Sequence, residues 1–244
     1  LMTQFGSLFI QLDSVDSTNN YVANLIEQGT CQDGSVIMAD YQSKGKGQGG
    51  NIWQSVSKAN LMFSFVYCPK FGTDEQIRSV WYSALMWQQC LLRFGVDAQI
   101  KWPNDILIQG LKLGGILIEQ QVKDQQITWC VIGCGMNVNE APNLPFTTSL
   151  LAQTKQRFKP ITVLSEYLDL LNGQQNLLNG DFNYLKSKYE AALWLKGERY
   201  WFETALGLKF EATILGVSDR GKLRLDDGAQ ILEFDNQQIK FLRD

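Results

Sequence analysis

Apolar runs alternate along the chain with short polar or glycine-rich interruptions, and the spacing of the apolar positions predicts the elements. Residues 16–29, DSTNNYVANLIEQG, carry Tyr21, Val22, Leu25 and Ile26 at a 3.6-residue period. With Asp16 or Ser17 as cap and Gly29 as stop, they read as a helix. SVIMADYQ at 35–42 and NLMFSFVYC at 60–68 read as strands, the second by its alternation. A second helix is expected over 74–94, with aromatics on one face. QIKWPNDILI gives strand, turn and strand, with Pro103, Asn104 and Asp105 forming the turn. KLGGILIEQQV and ITWCVIGCGMNV follow as strands joined by a KDQQ hairpin, and helices are expected near 161–178 and 182–194. After Trp194 the pattern changes. KFEATILGVSD, GKLRLDDG, AQILEFD and QQIKFL are short pieces parted by Gly or Asp turns, which predicts a small barrel. The expected division is a larger domain over 1–197 and a barrel over 198–244.

Composition limits what such a chain does. It has 244 residues, is 45% hydrophobic and contains five prolines, so it buries a core and is not disordered. Its net charge of −3 offers no global basic field to a nucleic acid. Locally the picture differs: between Asp40 and Asp74 the only charged residues are Lys44, Lys46, Lys58 and Lys70, a positive stretch that suits an anionic ligand. The five cysteines have no metal-type spacing and read as reduced core residues of a cytoplasmic protein. No apolar run approaches the roughly 18 residues of a membrane span. No signal peptide is expected, and Leu1 ahead of Met2 reads as an expression remnant. The absence of histidine excludes Ser-His-Asp and Cys-His machines and His-ligated metals. Chemistry falls to lysines, carboxylates, backbone groups or a nucleophile that is already ionised.

Candidate chemistry concentrates in five interruptions: STN (17–19), ADYQSKGKGQGGNIW (39–53), KWPND (101–105), LKLGGILIE (111–119) and GCGMN (133–137). GKGQGG lacks the GK[ST] ending of a nucleotide P-loop. Its glycines make a loop that is floppy until something holds it, with backbone N–H groups to offer an anion. Each piece alone has an ordinary explanation: a linker for the loop, a helix cap for Ser17 to Asn19, a turn for KWPND, a surface position for Lys112, a core aromatic for Trp53.

In their order and spacing, KWPNDILIQGLKLGGILIE, VIGCGMNVN and the TSL at 148–150 resemble the biotin protein ligases over nearly the whole chain. The resemblance implies an α+β fold, with a mixed, largely antiparallel sheet and helices on one face as in class II synthetases. A C-terminal SH3-like barrel completes it. It implies a short form without an N-terminal DNA-binding domain, and so no DNA partner and no repressor role. It implies that ATP activates biotin as biotinyl-5′-AMP, with Mg²⁺, and that the biotinyl group then passes to a lysine of a biotin carboxyl carrier protein. A homodimer through the sheet edge is a family habit. Ser17, Thr18, Asn19, Gln42, Lys46, Gly47, Gln48, Lys112, Gly114 and Gly115 would bind biotin, and Trp53, Asn104 and Asn137 the nucleotide. Lys112, Asp105 and Lys46 would be catalytic. The metal ligands are left open. A carboxylate nucleophile is ionised at pH 7 and needs no histidine. One departure stands out: the family loop is G-R-G-R-x-G-R-x-W, and here Lys46, Gln48 and Asn51 stand at the three arginine places, with Gly49 at the first free position. Retention of the adenylate is expected to suffer. Lipoate ligation and non-catalytic biotin binding are the competing readings.

Overall fold

A computed structural model describes residues 2–243. Its first sheet has seven strands in the order β1-β2-β3-β7-β6-β5-β4. These are β1 (Phe9–Leu12), β2 (Val36–Ala39), β3 (Leu61–Tyr67), β4 (Gln99–Lys101), β5 (Asp105–Ile108), β6 (Leu111–Lys123) and β7 (Gln126–Met136). β1 runs parallel to β2 and the remaining pairs are antiparallel, so the sheet is mixed and largely antiparallel as expected. The KDQQ hairpin forms with Asp124 and Gln125 at positive φ, the geometry of a tight two-residue turn.

All seven residues of β3 are buried, because both faces of the sheet are covered there. Leu61, Phe63, Phe65 and Tyr67 join the main core with α2 (Arg78–Arg93) and α4 (Pro160–Gly173). Val66 turns the other way and packs with Ile37, Val131 and Val22 of α1 (Thr18–Glu27). The helices expected on one face are therefore α2 and α4, with α5 (Gln175–Asn179) and α6 (Phe182–Ala191) packed against α2, while α1 lies across the opposite face. α2 is apolar well beyond a single stripe because sheet, α4 and α6 enclose it. Trp87 stacks on Tyr167 at 4.1 Å, and Trp81 on Tyr189 at 5.4 Å.

Several boundaries moved. The helix expected over 74–94 begins at Arg78, after a 3₁₀ turn at Thr73–Glu75. The helix expected over 161–178 breaks after Gly173, where Gln174 leaves helical geometry, and becomes α4 and α5. The last expected helix stops at Ala191: Trp194 donates to the Ile100 carbonyl and Ile100 to that of Ala192, so β4 captures the segment. Strand β1, the short helix α3 (Leu150–Thr154) and the strand over Arg199–Thr204 were not predicted as elements. Cys90, Cys130 and Cys134 are buried as expected, but Cys68 is exposed and Cys31 half-buried, outside the core. All five cysteines are free.

The second sheet contains β8 (Arg199–Thr204), β9 (Lys209–Val217), β10 (Leu223–Asp226), β11 (Ile231–Phe234) and β12 (Ile239–Phe241) in the order β11-β10-β9-β8-β12. Its pairings are antiparallel. Phe202, Ala212, Ile214, Leu223 and Leu225 are buried and continuous with the main core. Among the described residues, no helix is long and apolar enough to cross a membrane.

Candidate active site

A cleft of about 460 Å³ lies where the α1 side of the first sheet meets the second sheet. Strand alternation decides what reaches it. On β7, Cys134 and Met136 turn into the core, so Gly133 and Gly135 take the cleft side. Glycine is required at both places: a Cβ at 133 would collide with the Asn19 amide, and one at 135 with the Trp53 ring. On β6, Ile116 and Ile118 pack inward, while Gly115 and Leu117 line the cleft. Gly114 stands behind the wall, where a Cβ would strike Met136. Gly135→Ala is expected to push the Trp53 ring off the strand and to cost about 1–3 kcal/mol, as overpacking typically does. Urea denaturation and a crystal structure of the variant check this. An unmoved ring and unchanged midpoint would contradict it.

One corner of the cleft is a hydrogen-bond network. Ser17 is the N-cap of α1 by backbone geometry, yet its side chain makes no capping bond. The cap comes from afar: Gln42 Oε1 accepts from the Thr18 backbone N–H at 2.7 Å and from Thr18 Oγ1 at 3.1 Å. With its oxygen so engaged, Gln42 has its Nε2 left to offer. Ser64, buried on β3, lies 2.7 Å from Thr18 Oγ1 and donates to Asn19 Oδ1 at 2.5 Å. Asn19 Nδ2 in turn donates to Glu119 Oε2 at 2.7 Å.

KWPND forms the opposite wall, and each of its residues has a separate task. Lys101 lies 5.2 Å above the Phe241 ring, and burial lowers its pKa, an effect that nearby Asp105 opposes. Trp102 donates through Nε1 to the Gly221 carbonyl at 2.8 Å and so ties the second sheet to the first. Pro103, after a cis peptide bond, accepts from Tyr189 at 2.7 Å. Asn104 donates its side-chain amide to the Ile116 carbonyl, steadying β6. Asp105 Oδ1 sits 2.6 Å from Lys112 Nζ. The Lys112 backbone is clamped by Phe146 and Thr148, so the 146–148 segment aims its side chain. The ammonium also lies 5.9 Å over Trp53, whose Nε1 is buried without a partner.

The glycine-rich loop is more structured than its composition suggests. Lys46 bridges to Ile52, Gly47 donates to Asn51, Trp53 donates to Gly45, and a 3₁₀ turn at Gln48–Gly50 forms the tip. Positive φ at Gly49 and Gly50 makes that tip possible. Lys46 Nζ pairs with Glu119 Oε1 at 3.1 Å.

Of the residues singled out from the sequence, Ser17, Thr18, Asn19, Gln42, Lys46, Gly47, Gln48, Trp53, Asn104, Asp105, Lys112 and Gly115 all line this cleft. Gly114 and Asn137 do not: Gly114 faces Met136 behind the wall, and Asn137 is buried behind the β6–β7 end, its Nδ2 bonded to the Thr148 carbonyl and its Oδ1 without a partner. Missed from the sequence were Lys101, Glu119 and the second-sheet residues Asn236, Gln237, Ile239, Lys240 and Phe241. Lys101 stood in view as the first letter of KWPND, and Glu119 as the last of LKLGGILIE. Nothing local marked the second-sheet residues. Asp105 is the one carboxylate lining the cleft among the described residues, and no three His, Cys, Asp or Glu side chains there gather as a metal cluster.

A sheet-backed cleft of small-molecule size, walled by a hydrogen-bonding corner and a set of lysines and covered by a glycine-rich loop, defines an α+β protein with an enzyme-like site. The biotin/lipoate A/B protein ligase family model matches residues 12–137, and the chain belongs to that family and is a ligase. It is 27% identical to the biotin–[acetyl-CoA-carboxylase] ligase of Mycobacterium tuberculosis, over 98% of this chain and 91% of that one. It is 26% identical to the bifunctional ligase/repressor BirA of Bacillus subtilis, over 96% of this chain and 74% of the relative. The fold matches the biotin protein ligase from Aquifex aeolicus in complex with biotin and ATP, with a TM-score of 0.78 at 24% identity over 98% of this chain and 100% of that one. It also matches the Leishmania major enzyme in complex with biotinyl-5-AMP, with a TM-score of 0.64 at 18% identity, over 94% and 99% of the two chains.

Proposed function

We propose that this chain activates biotin with ATP and transfers it to a carrier lysine. The observation that carries this reading is the Lys112–Asp105 pair, set between the amide-and-hydroxyl corner and the aromatic, lysine-lined side of one cleft. A ureido ring offers N–H donors and a carbonyl acceptor. The Ser17 hydroxyl and Gln42 Nε2 complement it, on a frame held by Thr18, Asn19 and Ser64. Gly115 keeps the wall beside Lys112 free of a side chain, with room for an apolar tail. Trp53 would meet the adenylate, with Nε1 as an unused donor, and Asn104 would stand at the nucleotide end, while Asn137, buried behind the wall, would act only by holding the Thr148 carbonyl.

The first step joins the biotin carboxylate oxygen to the α-phosphorus and breaks the bond to the β-phosphate, so pyrophosphate leaves. Negative charge gathers on phosphate oxygens, and Lys112 is the cation placed to meet it. In the second step a carrier amine attacks the anhydride carbonyl, AMP leaves, and the amine must lose a proton. Asp105 Oδ1 is engaged by Lys112, and Oδ2 remains to take that proton. Mg²⁺ fits as an ion carried in by the nucleotide phosphates, since among the described residues the cleft holds a single carboxylate and no cage. It would supply charge neutralisation at the leaving pyrophosphate. The carrier is a biotin carboxyl carrier protein or domain, and free cysteines fit a reducing compartment such as the cytoplasm.

Incubation with biotin, ATP and Mg²⁺ is expected to release pyrophosphate and accumulate biotinyl-AMP, and addition of a carrier domain to consume it. Release with lipoate but not biotin would move the reading to lipoate ligation, and release with neither would leave a binding protein. A further expectation concerns Gln48, which lines the cleft where the family loop carries arginine. Gln48→Arg is expected to slow biotinyl-AMP release about ten-fold if one charge-assisted bond adds about 1.4 kcal/mol. Stopped-flow dissociation checks it, and an unchanged off-rate counts against it.

A further inference from the structure

The arginine-poor loop raises the question of what holds it over the cleft. Its own hydrogen bonds shape it; Ser43 and Lys44 anchor its near end by donating to the Val15 and Asp16 carbonyls, and the Trp53 ring packs its far end against Gly135. Two further contacts hold the span between. At the stem, Lys46 Nζ pairs with Glu119 Oε1 at 3.1 Å, and the other oxygen of the same carboxylate accepts from Asn19 at 2.7 Å. At the tip, Gly49 lies so close to Gln237, in the β11–β12 turn, that a Cβ at 49 would collide with the Gln237 amide. Glu119 follows the alternation of Gly115 and Leu117 onto the cleft side of β6, so the sheet itself fixes where the carboxylate stands.

We propose that Glu119 is a positioning residue, bridging Asn19 to Lys46 so that it latches the glycine-rich loop over the cleft, with Gln237 seating the tip. Lys46, where the relatives' loop pattern carries arginine, is then committed to the protein, and the loop stays closed with one cation. The bridge also couples the corner that holds the ligand's polar head to the loop that covers it. An ordered Asn19 orients the carboxylate, and the carboxylate orients Lys46. The link to biotinyl-AMP retention rests on the ligase reading; the latch itself does not.

Glu119→Gln separates the two halves of the bridge. A glutamine oxygen still accepts from Asn19, but its amide cannot pair with Lys46. Hydrogen exchange of the ligand-free protein is the first measurement. Exchange of residues 45–53 is expected to speed up about two- to five-fold, the range that an exposed ion pair supports, with α1 and β6 unchanged. Lys46→Met, which removes the same pair from the loop side, is expected to speed loop exchange by a similar factor, and adding Glu119→Gln to it is expected to change the exchange no further. Gln237→Ala is expected to quicken exchange at the tip only. Biotinyl-AMP dissociation, the second measurement, is expected to accelerate in Glu119→Gln by a similar factor. Unchanged loop exchange in Glu119→Gln overturns the latch, whatever the enzyme catalyses. Slower adenylate release overturns it too, since Glu119 would then be competing with the ligand for Lys46. If wild type forms no adenylate, the ligase reading fails and the exchange experiment still decides the latch.

Discussion

Lys112→Ala is expected to cut biotinyl-AMP formation at least a hundred-fold, a barrier increase of about 2.7 kcal/mol or more. Four lysines line the cleft: Lys46, Lys101, Lys112 and Lys240. Lys46 is paired with Glu119, away from the Asp105 side. Lys101 is half-buried over Phe241, and burial favours its neutral form. Lys112 alone has its backbone clamped by the 146–148 segment and its ammonium between Asp105 and the Trp53 ring. With only one loop cation, charge neutralisation at the α-phosphate falls on this residue more heavily than in an arginine-rich relative. The substitution leaves Asp105 without its partner in a half-exposed position, so a folding check by circular dichroism accompanies the assay. Pyrophosphate release under single-turnover conditions measures the effect. A near wild-type rate in a folded variant removes Lys112 from the first step.

Asp105→Asn is expected to slow transfer from preformed biotinyl-AMP by about a hundred-fold, at the low end of what general base catalysis contributes, and to slow adenylate synthesis less. The carrier amine arrives protonated at pH 7, and no histidine exists to receive its proton. The amide preserves shape and can still accept from Lys112, so Lys112 keeps a neighbour while the proton acceptor is lost. The ion pair makes this a sharper test than the turn residue foreseen from KWPND. If Asp105 acts only by holding Lys112 in place, both half-reactions slow together. Chemical synthesis of biotinyl-AMP allows the two steps to be timed separately, and equal losses would assign Asp105 a positioning role.

Much of the cleft was readable from the chain because its pieces are local. STN, KWPND, K-x-G-G and GCG are each a run of a few residues at a strand end or helix start, where polar groups and glycines interrupt an apolar pattern. The glycines of GCG were visible, but not that Gly133 makes room for Asn19 and Gly135 for Trp53. That depends on which face of β7 turns to α1. Ser17 looked like a cap and holds the cap position, yet Gln42 supplies the capping oxygen from another segment. The loop composition suggested a segment awaiting a ligand. Its backbone closes on itself, and its charged stem is already paired.

Periodicity and local backbone chemistry determined, from the sequence alone, the strands of the first sheet beyond β1, the KDQQ hairpin, helices α1, α2 and α6 to within a turn or so, and the all-β tail. Each follows from interactions between residues a few positions apart, which the order of side chains encodes directly. The tertiary structure decided the rest. Glu119 reaches Asn19 across 100 positions and Lys46 across 73, and Trp102 reaches Gly221 across 119. Such contacts leave no periodic trace, because the residues between them are free to vary in pattern so long as the sheets dock. The same docking brought Gln237, Lys240 and Phe241 to the cleft from a segment that carried no chemical signal of its own. It also let β4 draw residues 192–194 out of a helix, because pairing a strand edge satisfied backbone groups that helical propensity alone would have kept.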